Sequence, residues 1–285
     1  MKVGFIGTGL LGQPMAMRLI EHGEHEVVVY NRTASKTEAL RTCGAKDALL
    51  PQDVFSEAPV TILMLSDARA VREVMLSPQS RAELAGKTVV QMGTIAPEES
   101  MQLANDVLMV GGQYVEAPVL GSIPQAKGGA LVVMTGCEKG QCERLRPLLE
   151  TLGPVYHIGP VGTAAALKLA LNQLIASLTA AFSASLGMVL RNGIDVDIFM
   201  DILRKSALYA PTFDKKLPRM IERDFRNPNF PTKHLLKDVE LFLSEARRIG
   251  LRTENVDGVR TVVNRALMLG LDDEDYSSIY LSIDS

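Results

Sequence analysis

Two patterns of apolar and polar positions alternate through the first 160 or so residues, and only one continues beyond them. Short apolar runs bounded by turn residues occur at Val3–Ile6, Glu26–Tyr30, Val60–Leu65, Thr88–Met92, Tyr114–Ala117, Leu131–Met134 and Val155–Ile158. They read as strands, and the nearly unbroken run Val60–Leu65 is that of a strand covered on both faces. Helical periodicity fills the intervals. It starts at Gln13–Glu21, after a Ser66-Asp67 cap, and again where Thr94 precedes Pro97-Glu98-Glu99. Beyond Gly162 the strand pattern stops, and Thr163–Arg191, Val196–Arg204, Thr232–Ile249 and Asn255–Gly270 are helical in period. The implied fold class is α/β, a doubly wound, mostly parallel sheet over residues 1–162. An all-α C-terminal domain over 163–285 follows, joined to it by one long helix.

The first strand runs straight into Gly7-Thr8-Gly9-Leu10-Leu11-Gly12, with a helix behind it. In such a Rossmann-type turn the first glycine permits the tight bend and the second lets a pyrophosphate approach the backbone. The third lets helix and strand pack closely. The helix N-terminus presents N–H groups and a partial positive charge to the phosphates, and Pro14 fits its first turn. The second strand ends in Asn31-Arg32-Thr33, where an NAD-selective protein usually has an acidic residue. Arg32, with Lys36 nearby, favours a 2′-phosphate instead, so the expected cofactor is NADP (NADPH). A solvated loop cation is the plainer reading of Arg32.

Composition narrows the function classes. With 47% hydrophobic and 22% charged residues, the chain has ample core, and its net charge of -3 gives no electrostatic reason for nucleic acid or anionic membrane as partner. Cys43, Cys137 and Cys142 form no Cys-x-x-Cys pair, and an odd count argues against a disulfide framework. A reducing cytoplasm suits them. Met1-Lys2 leads directly into the first strand, which leaves no room for a signal or transit peptide. Leu169–Leu190 carries no charge and is long enough to span a bilayer. Asn172, Gln173, Ser177, Thr179, Ser183 and Ser185 fit a helix buried between domains or subunits better. No His, Cys or carboxylate spacing reads as a metal site. Among the histidines, His22 and His25 flank a turn, His157 ends a strand, and His234 stands beside the stronger candidate Lys237.

Lys168 and Asn172 lie four apart on the long helix and so share a face. They read either as a proton-donating lysine with an amide neighbour that fixes geometry, or as a lysine snorkelling from a helix end. Spacing alone does not choose between these.

Five blocks in order carry a resemblance. The fingerprint Gly4–Ala16, the run Gly93-Thr94-Ile95-Ala96-Pro97, the run Glu116-Ala117-Pro118-Val119-Leu120-Gly121-Ser122, and Gly159-Pro160-Val161-Gly162 followed by Lys168 and Asn172 are similar to those of the β-hydroxyacid dehydrogenases. Phe230-Pro231-Thr232-Lys233-His234-Leu235-Leu236-Lys237-Asp238 resembles the glyoxylate/succinic semialdehyde reductase branch. The resemblance implies NADPH-dependent reduction of a short aldehyde acid. Lys168 would be the catalytic lysine and Asn172 its substrate-side neighbour. Gly7, Thr8, Gly9, Leu10, Leu11, Gly12, Asn31, Arg32, Thr33, Leu65 and Thr94 would hold the cofactor, with Lys237 reaching it from the second domain. Leu120, Gly121, Ser122, Phe230 and Asp238 would line the substrate pocket between the domains. Plainer roles remain open, core packing for Phe230 and a solvated pair for Lys237-Asp238.

One position departs from the family, which usually has serine where this chain has Leu120. That hydroxyl helps hold the substrate carboxylate, and losing one hydrogen bond to a charged group removes about 1.5–3 kcal/mol. Backbone N–H groups of Gly121 and Ser122, or the Ser122 hydroxyl, are candidate replacements. The alternatives are 3-hydroxyisobutyrate dehydrogenase activity and, in another class, non-catalytic dinucleotide binding. Imine reductases generally lack the lysine found at 168. 6-Phosphogluconate dehydrogenases carry a histidine where this chain has Leu171. The uncharged, Ala- and Ser-rich helix implies a homodimer or homotetramer.

Overall fold

In the computed structural model, which describes residues 1–284, the chain falls into two compact units, Met1–Lys168 and the part from Leu169 onward. The first runs β1 (Lys2–Ile6), α1 (Gly12–Glu21), β2 (Glu26–Tyr30), α2 (Glu38–Thr42), β3 (Lys46–Asp47), α3 (Pro51–Glu57), β4 (Val60–Leu63), α4 (Ala68–Met75) and α5 (Pro78–Ala82). It continues with β5 (Thr88–Gln91), α6 (Pro97–Leu108), β6 (Gln113–Glu116), β7 (Val119–Leu120), α7 (Ile123–Gly128), β8 (Val132–Gly136), α8 (Lys139–Glu150) and β9 (Val155–Gly159). α9 (Thr163–Arg191) begins in the first unit and continues into the second. There α10 (Val196–Arg204), α11 (Pro211–Glu222), α12 (Thr232–Arg248), α13 (Glu254–Met268) and a 3-10 segment (Tyr276–Ser282) follow.

The strands form one sheet in the order β3-β2-β1-β4-β5-β6-β8-β7, with β9 on β8. From β3 to β6 every pairing is parallel, and the order reverses between β1 and β4. That reversal opens a crevice beyond the strand ends, where α/β sheets take their ligands. β8 runs antiparallel to β6 and β7, so the sheet is mixed at one edge. The stretch between Ala117 and Leu131 has the glycines of a loop yet contains β7 and α7.

Alternation along the strands explains why both faces are covered. Val3, Phe5, Val27, Val29 and Ile62 enter one core with Met15 and Leu19 of α1. Ile6, Val28, Leu63 and Val89 enter the other with Val54 and Phe55 of α3. In the second unit, Ala176 of α9 packs with Leu235, Val239, Val263 and Ile279. Phe182 and Leu186 of α9 pack with Met200, Phe213 and Met220. α9 is long and apolar enough to cross a membrane by length and composition, with a mean hydropathy of 1.6 over an 18-residue window. Core helices share that property, and these α9 side chains are core.

The contacts divide the chain inside α9, after Lys168, whereas composition placed the change near residue 162. The physical reason is a side chain on β6 that binds the first turn of α9 and keeps it with the sheet.

Candidate active site

Three glycines build the turn after β1, each differently. Gly7 has φ +99, and a Cβ there would lie 2.3 Å from the Met64 carbonyl oxygen. A Cβ on Gly12 would lie 2.0 Å from the Gly7 oxygen, whereas at Gly9 nothing stands within 4 Å. Gly7 and Gly12 are therefore required by the fold, and Gly9 leaves open space for something else to approach. Leu11 precedes α1 with no side-chain cap, so the helix N-terminus keeps its positive end uncovered by side chains. Thr8 Oγ1 is buried without a hydrogen-bond partner among the described residues. An open glycine, an uncapped helix start and an orphaned hydroxyl fit a pyrophosphate.

Asn31 has a task that spacing could not reveal. Its Oδ1 accepts the Thr8 N–H at 3.1 Å, and its Nδ2 donates to the Thr33 carbonyl at 3.0 Å, so the side chain ties the end of β2 to the glycine turn. Arg32, Thr33 and Lys36 are exposed just beyond. Leu10 is exposed and Leu11 half-buried on the same turn.

Next along the sheet rim, a Cβ on Gly93 would lie 2.4 Å from the Leu65 carbonyl oxygen, and a Leu65 methyl lies against Gly7. The buried Gln91 side chain grips Gly93 at both ends, accepting its N–H at 2.5 Å and donating to its carbonyl at 3.0 Å. That clamp fixes the turn presenting Thr94. Gln91, Gly93, Thr94, Ser100, Glu116, Ala165 and Lys168 line one narrow crevice. Lys168 belongs to this lining and is only 9% exposed. The sheet rim thus brings together Gly7, Leu65, Gly93, Thr94 and Lys168, all within the first unit.

Glu116 went unread as a functional residue. It is 1% exposed at the end of β6. Its Oε1 accepts the N–H groups of Gly162 and Ala164 at 2.8 Å and of Ala165 at 3.3 Å, and its Oε2 accepts the Ser100 hydroxyl at 2.5 Å. Burial pushes its carboxyl above the ordinary range, while these donors pull the other way. A charged residue closing an otherwise apolar strand was the available signal.

Leu120 is half-buried in β7, its backbone registered on Val132. Gly121 follows at φ +138, a conformation that favours glycine. The Ser122 N–H, a candidate anion donor by sequence, instead donates to Gln125 Oε1 at 3.0 Å at the start of α7.

In the second unit, Asn172 and Asp238 are 4% and 3% exposed, and Asn172 Nδ2 donates to Asp238 Oδ2 at 2.6 Å. A carboxylate only accepts, so the bond orients the amide and turns Asn172 Oδ1 away, buried without a hydrogen-bond partner among the described residues. Lys237 Nζ lies 3.0 Å from Asp238 Oδ1, close enough for an ion pair though not aligned as a hydrogen bond. Phe230 is half-buried, stacked near His234 and edge-on to Tyr276. Burial, then Lys237 and Lys233, hold His234 below the usual histidine range. Among the described residues no group of His, Cys, Asp or Glu could hold a metal ion.

Residues 2–159 match the NAD-binding domain of 6-phosphogluconate dehydrogenase, and residues 162–283 match the NAD-binding family of NADP-dependent 3-hydroxyisobutyrate dehydrogenase. Glyoxylate/succinic semialdehyde reductase 1 of Arabidopsis thaliana is 33% identical over 98% of this chain and 97% of its own. The chloroplastic reductase 2 is 31% identical over 98% and 78%. Among solved structures, a Mycobacterium tuberculosis 3-hydroxyisobutyrate dehydrogenase with L-serine superposes with a TM-score of 0.89 at 20% identity, covering 100% of this chain and 99% of that one. Psf3 in complex with NADP+ and 2-OPP gives 0.89 at 26% identity, covering 99% and 100%.

Proposed function

Because the chain belongs to the β-hydroxyacid dehydrogenase family, and so is an NAD(P)-dependent oxidoreductase, we propose that it uses NADPH to reduce a short aldehyde acid, succinic semialdehyde or glyoxylate, to the hydroxyacid. The observation that carries this reading is the buried Lys168 sharing a crevice with Thr94, on the rim that continues to the glycine turn.

Gly7 to Gly12, Leu65 and Thr94 would hold the dinucleotide, with Asn31 bracing the turn. The exposed Arg32 and Lys36 would meet a 2′-phosphate. When bound, the dinucleotide supplies the hydride. Lys168 donates a hydrogen bond from Nζ to the carbonyl oxygen, stabilises the charge developing there, and passes it the proton. Solvent then returns a proton to the amine. Asn172, its amide turned by Asp238, offers Oδ1 to a donor on the substrate or product, such as the new hydroxyl. Leu120, lacking the family's usual hydroxyl, favours a less polar or differently shaped acid. Exposed Leu174, Met188, Ile198, Ile202 and Leu208 in the second unit support a homodimer or homotetramer. Sedimentation as a monomer at micromolar concentration would count against that.

The decisive test is a panel of aldehydes and hydroxyacids assayed with NADPH and NADH by nicotinamide absorbance. Turnover of succinic semialdehyde or glyoxylate with NADPH supports the proposal. Oxidation of 3-hydroxyisobutyrate with NAD in preference overturns it in favour of that dehydrogenase, and NADPH binding with no turnover of any substrate leaves only dinucleotide capture.

A further inference from the structure

The start of α9 has no cap of its own. Gly162, at φ +101, carries no side chain, and the Thr163 hydroxyl donates backwards to the Pro160 carbonyl at 2.7 Å. A helix start without a cap leaves its first N–H groups unpaired. Here the partner comes from 46 residues earlier, where Glu116 Oε1 accepts the N–H groups of Gly162, Ala164 and Ala165. Its other oxygen is held by Ser100, whose hydroxyl lies 3.0 Å from the Tyr114 hydroxyl. A buried carboxylate is costly unless donors surround it, and this one has four together with the positive end of a helix. The arrangement is specific: a Cβ on Gly136 would lie 2.1 Å from Oε1, so the sheet leaves room for this carboxylate only by having glycine there.

Lys168 stands on the turn that follows this capped start and lines the same crevice as Glu116 and Ser100. We infer that Glu116 is the positioning residue of the reaction, holding the first turn of α9 so that Lys168 enters the crevice, and supplying the negative charge that keeps its ammonium protonated there. The inference rests on the reading of Lys168 as proton donor. Other titratable groups packed around Glu116 are Tyr114 on β6 and Cys137 after β8; burial pushes the Cys137 thiol up to about 12 and the Tyr114 hydroxyl higher still. Both stay neutral through the working range, and the charged side chains lining this crevice are Glu116 and Lys168.

The sign follows directly. A carboxylate near an ammonium favours its charged form, so removing that charge lowers the pH at which Lys168 loses its proton. Glu116→Gln keeps an oxygen to accept from the helix and replaces the charge by an amide. It should fold with NADPH affinity unchanged, because the glycine turn takes no part in the network. The alkaline limb of its kcat profile should move down by about half a pH unit or more. Glu116→Ala, which loses the cap as well, should lower kcat about tenfold to a hundredfold through misplacement of the amine.

The same shift is measurable without turnover, by following the Lys168 side-chain 13Cε resonance with pH and assigning it by its loss in Lys168→Arg. A lower Lys168 midpoint in Glu116→Gln, with NADPH binding retained, supports the inference even if no aldehyde in the panel is a substrate. An unchanged midpoint overturns it even if the wild type is an active reductase. Wild-type kcat in Glu116→Ala, in a wild type that turns over, overturns it equally.

Discussion

Substituting the glycines of the first turn one at a time separates what the fold needs from what the ligand needs. At Gly12 an added methyl would lie 2.0 Å from the Gly7 carbonyl oxygen, and backbone is the obstacle, so no rotamer relieves it. Forcing an atom into a packed position of this kind costs about 1–3 kcal/mol, and occasionally more. For a unit of this size that corresponds to a fall of roughly 3–10 °C in Tm. Gly9 differs, since nothing lies within 4 Å of its Cβ position and its φ is outside the left-handed region. Gly9→Ala should hold or slightly raise stability, by up to about 1 kcal/mol through a less flexible unfolded chain. Its methyl would occupy the side from which a pyrophosphate approaches, so NADPH affinity should fall tenfold or more, about 1.4 kcal/mol. Thermal denaturation and titration of NADPH fluorescence on the two variants measure these effects separately. If Gly9→Ala bound NADPH as tightly as wild type, or lost as much Tm as Gly12→Ala, the division of labour argued for the turn would be wrong.

Lys168→Ala should reduce kcat by about 10²–10⁴ at unchanged NADPH affinity, measured by steady-state rates beside fluorescence titration; unchanged turnover would remove its assigned role. Arg32→Ala should weaken NADPH by roughly 10–100-fold, the worth of a charge-assisted bond, and leave NADH nearly untouched, as read from the ratio of the two KM values. Asp284 is held below its ordinary value of 3.8 by the Tyr280 hydroxyl at 2.7 Å and then by Arg191 at 2.7 Å. Its contribution is therefore present above about pH 4 and lost as pH falls through the depressed folded value. Asp284→Asn should lower the urea midpoint at pH 7, with a deficit that shrinks as acid protonates the wild-type carboxylate; a deficit constant with pH would contradict this. Asp238→Asn places a side chain that can donate as well as accept opposite Asn172, so the Asn172 amide orientation is no longer dictated, and it should raise KM for the aldehyde more than it alters NADPH affinity, in the same steady-state assay.

The sequence by itself determined what depends on neighbours along the chain. Apolar runs located the main strands, and Thr163–Arg191 was bounded correctly because helical period is a local signal. The Gly-x-Gly-x-x-Gly turn carried its own chemistry for the same reason, and Asp67 caps α4 as its position implied, accepting the Ala70 N–H. Strands of two residues, β3 and β7, left no period to detect, and α7 lay hidden behind glycines. The tertiary structure alone decided which distant groups meet. Glu116 serves a helix that begins 47 residues later, Asn31 braces a turn 23 residues earlier, and Asp238 sets the amide of Asn172 across 66 residues. Each is a polar group whose partner is fixed only after the hydrophobic faces have packed. A hydrogen bond acts over about 3 Å and leaves no periodic trace in the chain.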